Sequence, residues 1–208
     1  MNKYFACFGL PGAFVLSMLM SLFALVLALL YPSPARWFCF AAMALSSVGD
    51  TFLTNFKGIK NIFPNYFIIG AAFFMVAHLL YIASYGIRIR ESGAAFLNGG
   101  VILVLLAMVL LYGYFIRLSI TTDHKNVLPL IIVYIAVISA DCMAVFSYAW
   151  SQGFSNPIAV LAAVGAVSFL LSDLIIGLGI AGGMHQYDWL IWWLYPIGQI
   201  LMIIGVGK

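Results

Sequence analysis

The chain has 208 residues, of which 65% are hydrophobic and only 7% charged, with a formal net charge of +3. A soluble domain of this size carries about 25% charged residues, so the composition excludes a soluble globular enzyme and implies an integral membrane protein built as one helical domain over residues 1–208. The positive balance is scattered over loops, which leaves no footprint for nucleic acid and suits contact with anionic lipid headgroups.

Seven apolar runs follow one another, at about 8–31, 34–56, 64–87, 94–118, 127–150, 157–181 and 188–206. Each is near the roughly 20 residues that cross a hydrocarbon core as a helix. Strand-like alternation is absent, so a β-barrel is not expected. The predicted fold is all-α, a polytopic transmembrane helical bundle. The first run follows Lys3 and is too long for the apolar stretch of a signal peptide, so it is read as a retained anchor. The second run carries Ser46, Ser47, Asp50, Thr51 and Thr54, and residues 46, 50 and 54 share one helical face. In the third, His78, Tyr81 and Tyr85 share a face. In the fifth, Tyr134 and Asp141 lie two turns apart on one side. The sixth holds Ser168, Ser172 and Asp173, with Ala162, Ala163, Gly165, Ala166, Gly177 and Gly179 expected to serve close helix packing. The seventh places Tyr195 four residues before Gln199.

The termini of these runs carry the expected membrane signals. Trp37, Trp150, Trp189, Trp192 and Trp193 all fall near predicted ends, as in an interfacial aromatic belt. Lys3, Lys57, Lys60, Arg117 and Lys125 fall on the N-terminal side of the membrane, and Arg36, Arg88, Arg90 and Lys208 on the other. Five against four leans toward a cytoplasmic N-terminal side. Cys7, Cys39 and Cys142 form no CxxC pair and are read as small buried hydrophobes.

Asp50, Asp141 and Asp173 are costly inside such runs, at roughly 2.5–3.5 kcal/mol each on insertion scales. Polar stripes on five helices imply a shared polar cavity, because lipid does not solvate them. Asp50 lies about 7 Å and Asp173 about 6 Å past the middle of its run, both toward the N-terminal side at 1.5 Å per residue. The expectation is a pocket opening toward that side with these two carboxyls facing across it, and His78 and Asp141 roughly one turn deeper. No Lys or Arg lies at that depth, so at least one of the two should keep its proton near neutral pH and serve as general acid, the other as base or stabilising anion. Other chemistries fit less well. His78 is the single histidine at depth, with His124 and His185 in loops, so a metal site would need a His-Asp-Asp set; no cofactor or metal is expected. No G-x-S-x-G elbow, P-loop or dinucleotide fingerprint is present. A membrane hydrolase, a proton-coupled transporter and a non-catalytic lipid-binding module remain as readings. A short internal echo relates Gly70-x3-Phe74-x3-His78 to Gly165-x3-Phe169-x3-Asp173.

Taken in order, the polar motifs resemble those of the YhhN-like lysoplasmalogenase family. They are Ser46-Ser47-Val48-Gly49-Asp50; Gly70, Phe74, His78 and Tyr81; Gly165, Phe169, Ser172 and Asp173; and Tyr195 with Gln199. The resemblance covers roughly residues 10–205. It departs in two places: the family has eight membrane segments where seven are counted here, and Asp141 is extra to the pattern. What the resemblance implies is hydrolysis of the vinyl ether bond of lysoplasmalogens, a lysophospholipid class, giving a fatty aldehyde and glycerophosphoethanolamine or glycerophosphocholine, in a bacterial inner membrane. Asp50 and Asp173 would then be the catalytic carboxyls, in either order. His78 and Tyr81 would orient water or the glycerol oxygen, with Ser46, Ser47, Tyr134, Asp141, Ser172, Tyr195 and Gln199 completing the substrate site.

Overall fold

The computed structural model describes residues 6–7, 10–54, 56–120, 128–182 and 185–207. Among these residues the chain forms seven α-helices: α1 Gly12–Leu30, α2 Pro34–Leu53, α3 Tyr66–Glu91, α4 Gly99–Ile120, α5 Leu128–Ser151, α6 Pro157–Gly182 and α7 Asp188–Gly205. Lys3, His124, Lys125 and Lys208 lie outside the described residues. Four helices are long and apolar enough to cross a membrane: Tyr66–Glu91, Pro129–Ser151, Pro157–Gly179 and Asp188–Gly205. Phe14–Leu30 and Gly99–Leu111 add shorter apolar stretches. The protein is therefore an all-helical membrane protein, with the seven helices expected from its apolar runs.

The helix boundaries follow local chemistry more closely than hydropathy. The first run was expected to turn helical near residue 8. Instead Ala6–Cys7 (β1) and Leu10–Pro11 (β2) pair as a short antiparallel hairpin, and α1 begins at Gly12. Pro11 is the reason, because proline drives the residue before it out of helical conformation. Helix α2 opens on Ser33-Pro34, where the Ser33 hydroxyl accepts from Arg36 N at 3.2 Å. Helix α6 opens the same way on Asn156-Pro157, with Asn156 Oδ1 accepting from Ile158 N at 3.0 Å. In both, the cap side chain takes an orphan N–H and proline occupies the first turn, where its missing donor costs nothing. The fourth helix starts five residues later than its apolar run, at Gly99 rather than 94. Asn98 sets that start: its Oδ1 accepts from Gly100 N at 3.0 Å, while its amide donates to Ser147 O at 3.0 Å and to Ser147 Oγ at 2.8 Å. Between α2 and α3, Phe56–Asn61 winds into a 3-10 helix where a loop was expected. The exits of α3 and α5 use Gly93 at φ 73° and Gly153 at φ 61°, a left-handed conformation that favours glycine.

The chain divides into two compact units, Met1–Ser84 and Tyr85–Lys208. In the first, α1 and α2 are joined by a clasp of buried hydroxyls. Ser21 Oγ and Ser47 Oγ lie 2.6 Å apart, and Ser47 also donates toward Ser17 O at 2.9 Å. Farther along, Ser84 at the C-terminal half of α3 donates to Ala35 O at 2.7 Å. In the second unit, Tyr85 donates to Met202 O at 2.7 Å and Arg88 Nε donates to Val206 O at 2.5 Å, so the end of α7 is held by two buried side chains of α3. Arg88 also pairs with Glu91 at 2.7 Å. Trp37, Trp150, Trp189 and Trp193 are exposed at helix ends, as an interfacial belt requires.

Candidate functional site

In the first unit the polar residues are positioned by a crossing of α2 and α3 at two glycines. A Cβ placed on Gly49 would lie 2.7 Å from the Phe74 ring and 3.1 Å from Gly70 O; one on Gly70 would lie 3.2 Å from Gly49 O. The two backbones touch there, which only residues without side chains permit. Asp50 is the residue next to this contact and is buried. Its carbonyl accepts from Thr54 Oγ1 at 2.7 Å and from Thr54 N at 2.9 Å, which closes the last turn of α2. His78 stands eight residues beyond Gly70, about 12 Å along α3. Its backbone level is thus about two turns along α3 from the crossing. His78, Tyr81 and Ser46 are all buried, and Tyr81 Oη lies 3.9 Å from Met43 Sδ. Ser47 is spoken for by the α1 clasp and donates away from the face of Asp50. At the end of α2, Phe52 stacks on Phe73 with ring centroids 5.8 Å apart and meets Phe63 edge-on at 5.7 Å.

The second unit repeats the device. A Cβ on Gly165 of α6 would lie 2.9 Å from Gly198 O, and one on Gly198 of α7 would lie 2.8 Å from Phe169 N and 3.0 Å from Gly165 O. Each crossing joins a G-x3-F-x3 helix, ending in His78 or Asp173, to a helix in which glycine precedes a polar residue. That residue is Asp50 after Gly49 in the first unit and Gln199 after Gly198 in the second. The middle residue of each motif, Phe74 or Phe169, packs on the opposing glycine. The internal echo noticed between α3 and α6 therefore marks a shared packing geometry. Gly198 was not singled out from sequence, but its spacing after Tyr195, matching that of Gly49 after Ser46, carried the signal.

Asp173 is half-buried and engaged by hydroxyls on both oxygens. Tyr134 Oη on α5 donates to Oδ2 at 2.5 Å, and Ser172 Oγ lies 3.3 Å from Oδ1. Ser172, fully buried, also donates to Phe169 O at 2.8 Å. Sequence spacing had grouped Tyr134 with Asp141, two turns along the same helix; the structure instead gives it to Asp173 on the next one. Asp141 is buried, and both it and Asp173 lie within electrostatic reach of the Cys142 thiol. Tyr195 packs on Phe169 with ring centroids 5.5 Å apart, and Gln199 is fully buried. His185, expected in a loop, is exposed and pairs with Asp188 at 3.2 Å. Among the described residues, no group of three or more His, Cys, Asp or Glu is placed to hold a metal ion.

Such an arrangement supplies carboxyls within helices, Asp50 beside a glycine-packed crossing and Asp173 gripped by a phenol. Carboxyls of this kind are groups able to give or take a proton. No curated protein and no solved structure matches the chain. The motifs that place Asp50, His78, Asp173 and Gln199 all fall within a match to the YhhN family spanning residues 12–206, almost the whole sequence, and the chain belongs to that family.

Proposed function

We propose that this protein is a lysoplasmalogenase-type ether hydrolase that cleaves the vinyl ether of a lysophospholipid, with Asp50 and Asp173 as its two catalytic carboxyls. The observation that supports this reading most is the carboxyl of Asp173, kept within an apolar helix and held by Tyr134 and Ser172. A group that expensive in lipid is retained for chemistry more readily than for packing.

A vinyl ether is opened by protonation of its β-carbon, which leaves an oxocarbenium ion. Water bonds to the α-carbon, and its proton passes to a base. The resulting hemiacetal collapses: its hydroxyl proton returns to the first carboxyl, the C–O bond to glycerol breaks, and the second carboxyl gives its proton to the departing oxygen. The sum is vinyl ether plus water to aldehyde plus glycerol hydroxyl, with both carboxyls restored. Glycosidases meet an oxocarbenium ion with two carboxyls in the same division of labour. His78 and Tyr81 orient water or the glycerol oxygen, Ser46 supports them, and Tyr195 and Gln199 are supporting residues of the second unit. The Phe52–Phe63–Phe73 cluster offers an apolar surface suited to the alkenyl chain. The setting is a multi-pass arrangement in a bacterial inner membrane.

The test is release of fatty aldehyde from lysoplasmenylethanolamine by the purified chain in detergent, against the matched acyl lysolipid as control. Wild-type protein that releases no aldehyde would end the proposal. Substrate-free proton transport in vesicles, with no hydrolysis, would favour a carrier built on the same carboxyls.

A further inference from the structure

Vinyl ether cleavage as described above leaves the substrate's phosphate unheld, and the segment that follows α2 carries two cations that its own unit does not neutralise. Resting on that reading, we propose that Lys57 and Lys60 are the phosphate subsite for the substrate headgroup, the specificity determinant that sets the vinyl ether at the depth of Asp50.

The charge balance is the first support. Lys57 and Lys60 stand three residues apart on the 3-10 helix Phe56–Asn61. Asp50 is the only acidic residue ahead of Glu91 in the sequence, and it is buried. The unit Met1–Ser84 therefore offers these lysines no exposed carboxylate to pair with. Two such cations at a membrane surface attract phosphate. Three residues span at most about 11 Å when extended, and a 3-10 helix contracts that toward about 6 Å. Lysine binds phosphate as a point charge on a flexible four-carbon stem, so two at this spacing are able to serve one phosphate.

The second support is depth. Asp50 lies three residues inside the end of α2 at Leu53, about 5 Å along the axis. The segment beyond is folded back onto that end. Ile62 N and Phe63 N both donate to Ile59 O, at 3.0 and 2.8 Å. The Phe63 ring then meets Phe52, two residues after Asp50, edge-on with centroids 5.7 Å apart. The lysine segment is thus tied to the turn of α2 that carries Asp50. In a lysoplasmalogen the phosphorus is six or seven bonds from the vinyl carbons, roughly 8–9 Å when extended. A phosphate held at the 3-10 helix brings those carbons to the depth of the Asp50 carboxyl. Headgroup binding then registers the reacting bond, so part of the orientation entropy is lost before the chemical step.

The experiment assays the full-length chain in a nonionic detergent, so that no bulk anionic lipid contributes. It compares lysoplasmenylethanolamine with 1-alkenylglycerol, which keeps the vinyl ether and lacks the phosphate. The preference for the phosphorylated substrate, read as the ratio of the two kcat/KM values, is expected to fall about fivefold in Lys57→Gln or Lys60→Gln and about 25-fold in the double variant, the scale of one and two basic residues at a membrane surface. The loss should lie in KM. Arg90→Gln, at an exposed position near the other end of α3, should leave the ratio unchanged. Lysines that only orient the chain or cap α2 would affect both substrates alike, so an unchanged ratio in the double variant overturns the proposal. A second arm reads binding without turnover, using a saturated 1-O-alkyl lysophosphoethanolamine followed by phosphorus NMR. The double variant should bind this lipid about 25-fold more weakly. Equal binding by wild type and double variant, or inorganic phosphate bound as tightly as the lipid, would contradict a headgroup site. If wild type releases no aldehyde from either substrate, the proposed function fails by that result alone, while the binding arm still decides whether the two lysines hold a lipid phosphate.

Discussion

Replacing Gly165 with alanine isolates what the glycine crossings contribute. The new methyl carbon would lie 2.8 Å from Leu201 Cβ, 2.9 Å from Gly198 O and 3.0 Å from Met202 N. Two of the three obstacles are backbone atoms that no rotamer can move. Reaching ordinary contact therefore requires α6 and α7 to separate by roughly 0.5–0.8 Å over the crossing, an overpacking strain of about 2–3 kcal/mol. Alanine regains about 1 kcal/mol through its better helix propensity. The net destabilisation is about 1–2 kcal/mol, which lowers the Tm of a chain this size by about 2–8 °C. Gly86→Ala in α3 is the matched control, because nothing lies within 4 Å of a Cβ there. With no strain to set against the propensity gain, it should raise Tm by a few degrees. Thermal unfolding of both variants in one detergent, followed by intrinsic fluorescence and circular dichroism, reads the sign directly. A Gly165→Ala protein as stable as wild type, or two variants that shift in the same direction, would refute the backbone-contact reasoning.

Other changes probe the site and its supports. Asp50→Asn and Asp173→Asn should each cut aldehyde release by about 100-fold or more, the scale of a lost general acid or base; turnover equal to wild type in either would remove that residue from the mechanism. Ser47→Ala breaks the α1–α2 clasp and should cost about 1 kcal/mol of stability while turnover per folded molecule is kept, so a catalytic loss without a Tm change would return Ser47 to the site. Arg88→Met removes the donor to Val206 O and should destabilise by about 1–3 kcal/mol, nearly all from that buried bond; Glu91 is half exposed, so the ion pair adds little, and the same loss in Glu91→Gln would contradict this ordering.

Much of this protein is written in its apolar runs. Seven stretches of about 20 residues, broken by proline, glycine and asparagine, can only become helices, because lipid tolerates no unsatisfied backbone. The same physics makes Asp50, His78, Asp141 and Asp173 conspicuous, since an ionisable residue among leucines is costly wherever it points. What one-dimensional spacing could not supply is the choice of partner across helices. Tyr134 and Asp141 lie two turns apart on one helix, which is all a sequence can say of them; the hydrogen bond to Asp173 exists because α5 and α6 pack side by side. Ser47 borders the face of Asp50 by periodicity, yet its hydroxyl goes to α1. Glycines are silent as well until the fold brings two of them together, as at Gly49 with Gly70 and at Gly165 with Gly198. Contacts between helices depend on which faces meet and how closely, and a single helical period leaves both undetermined.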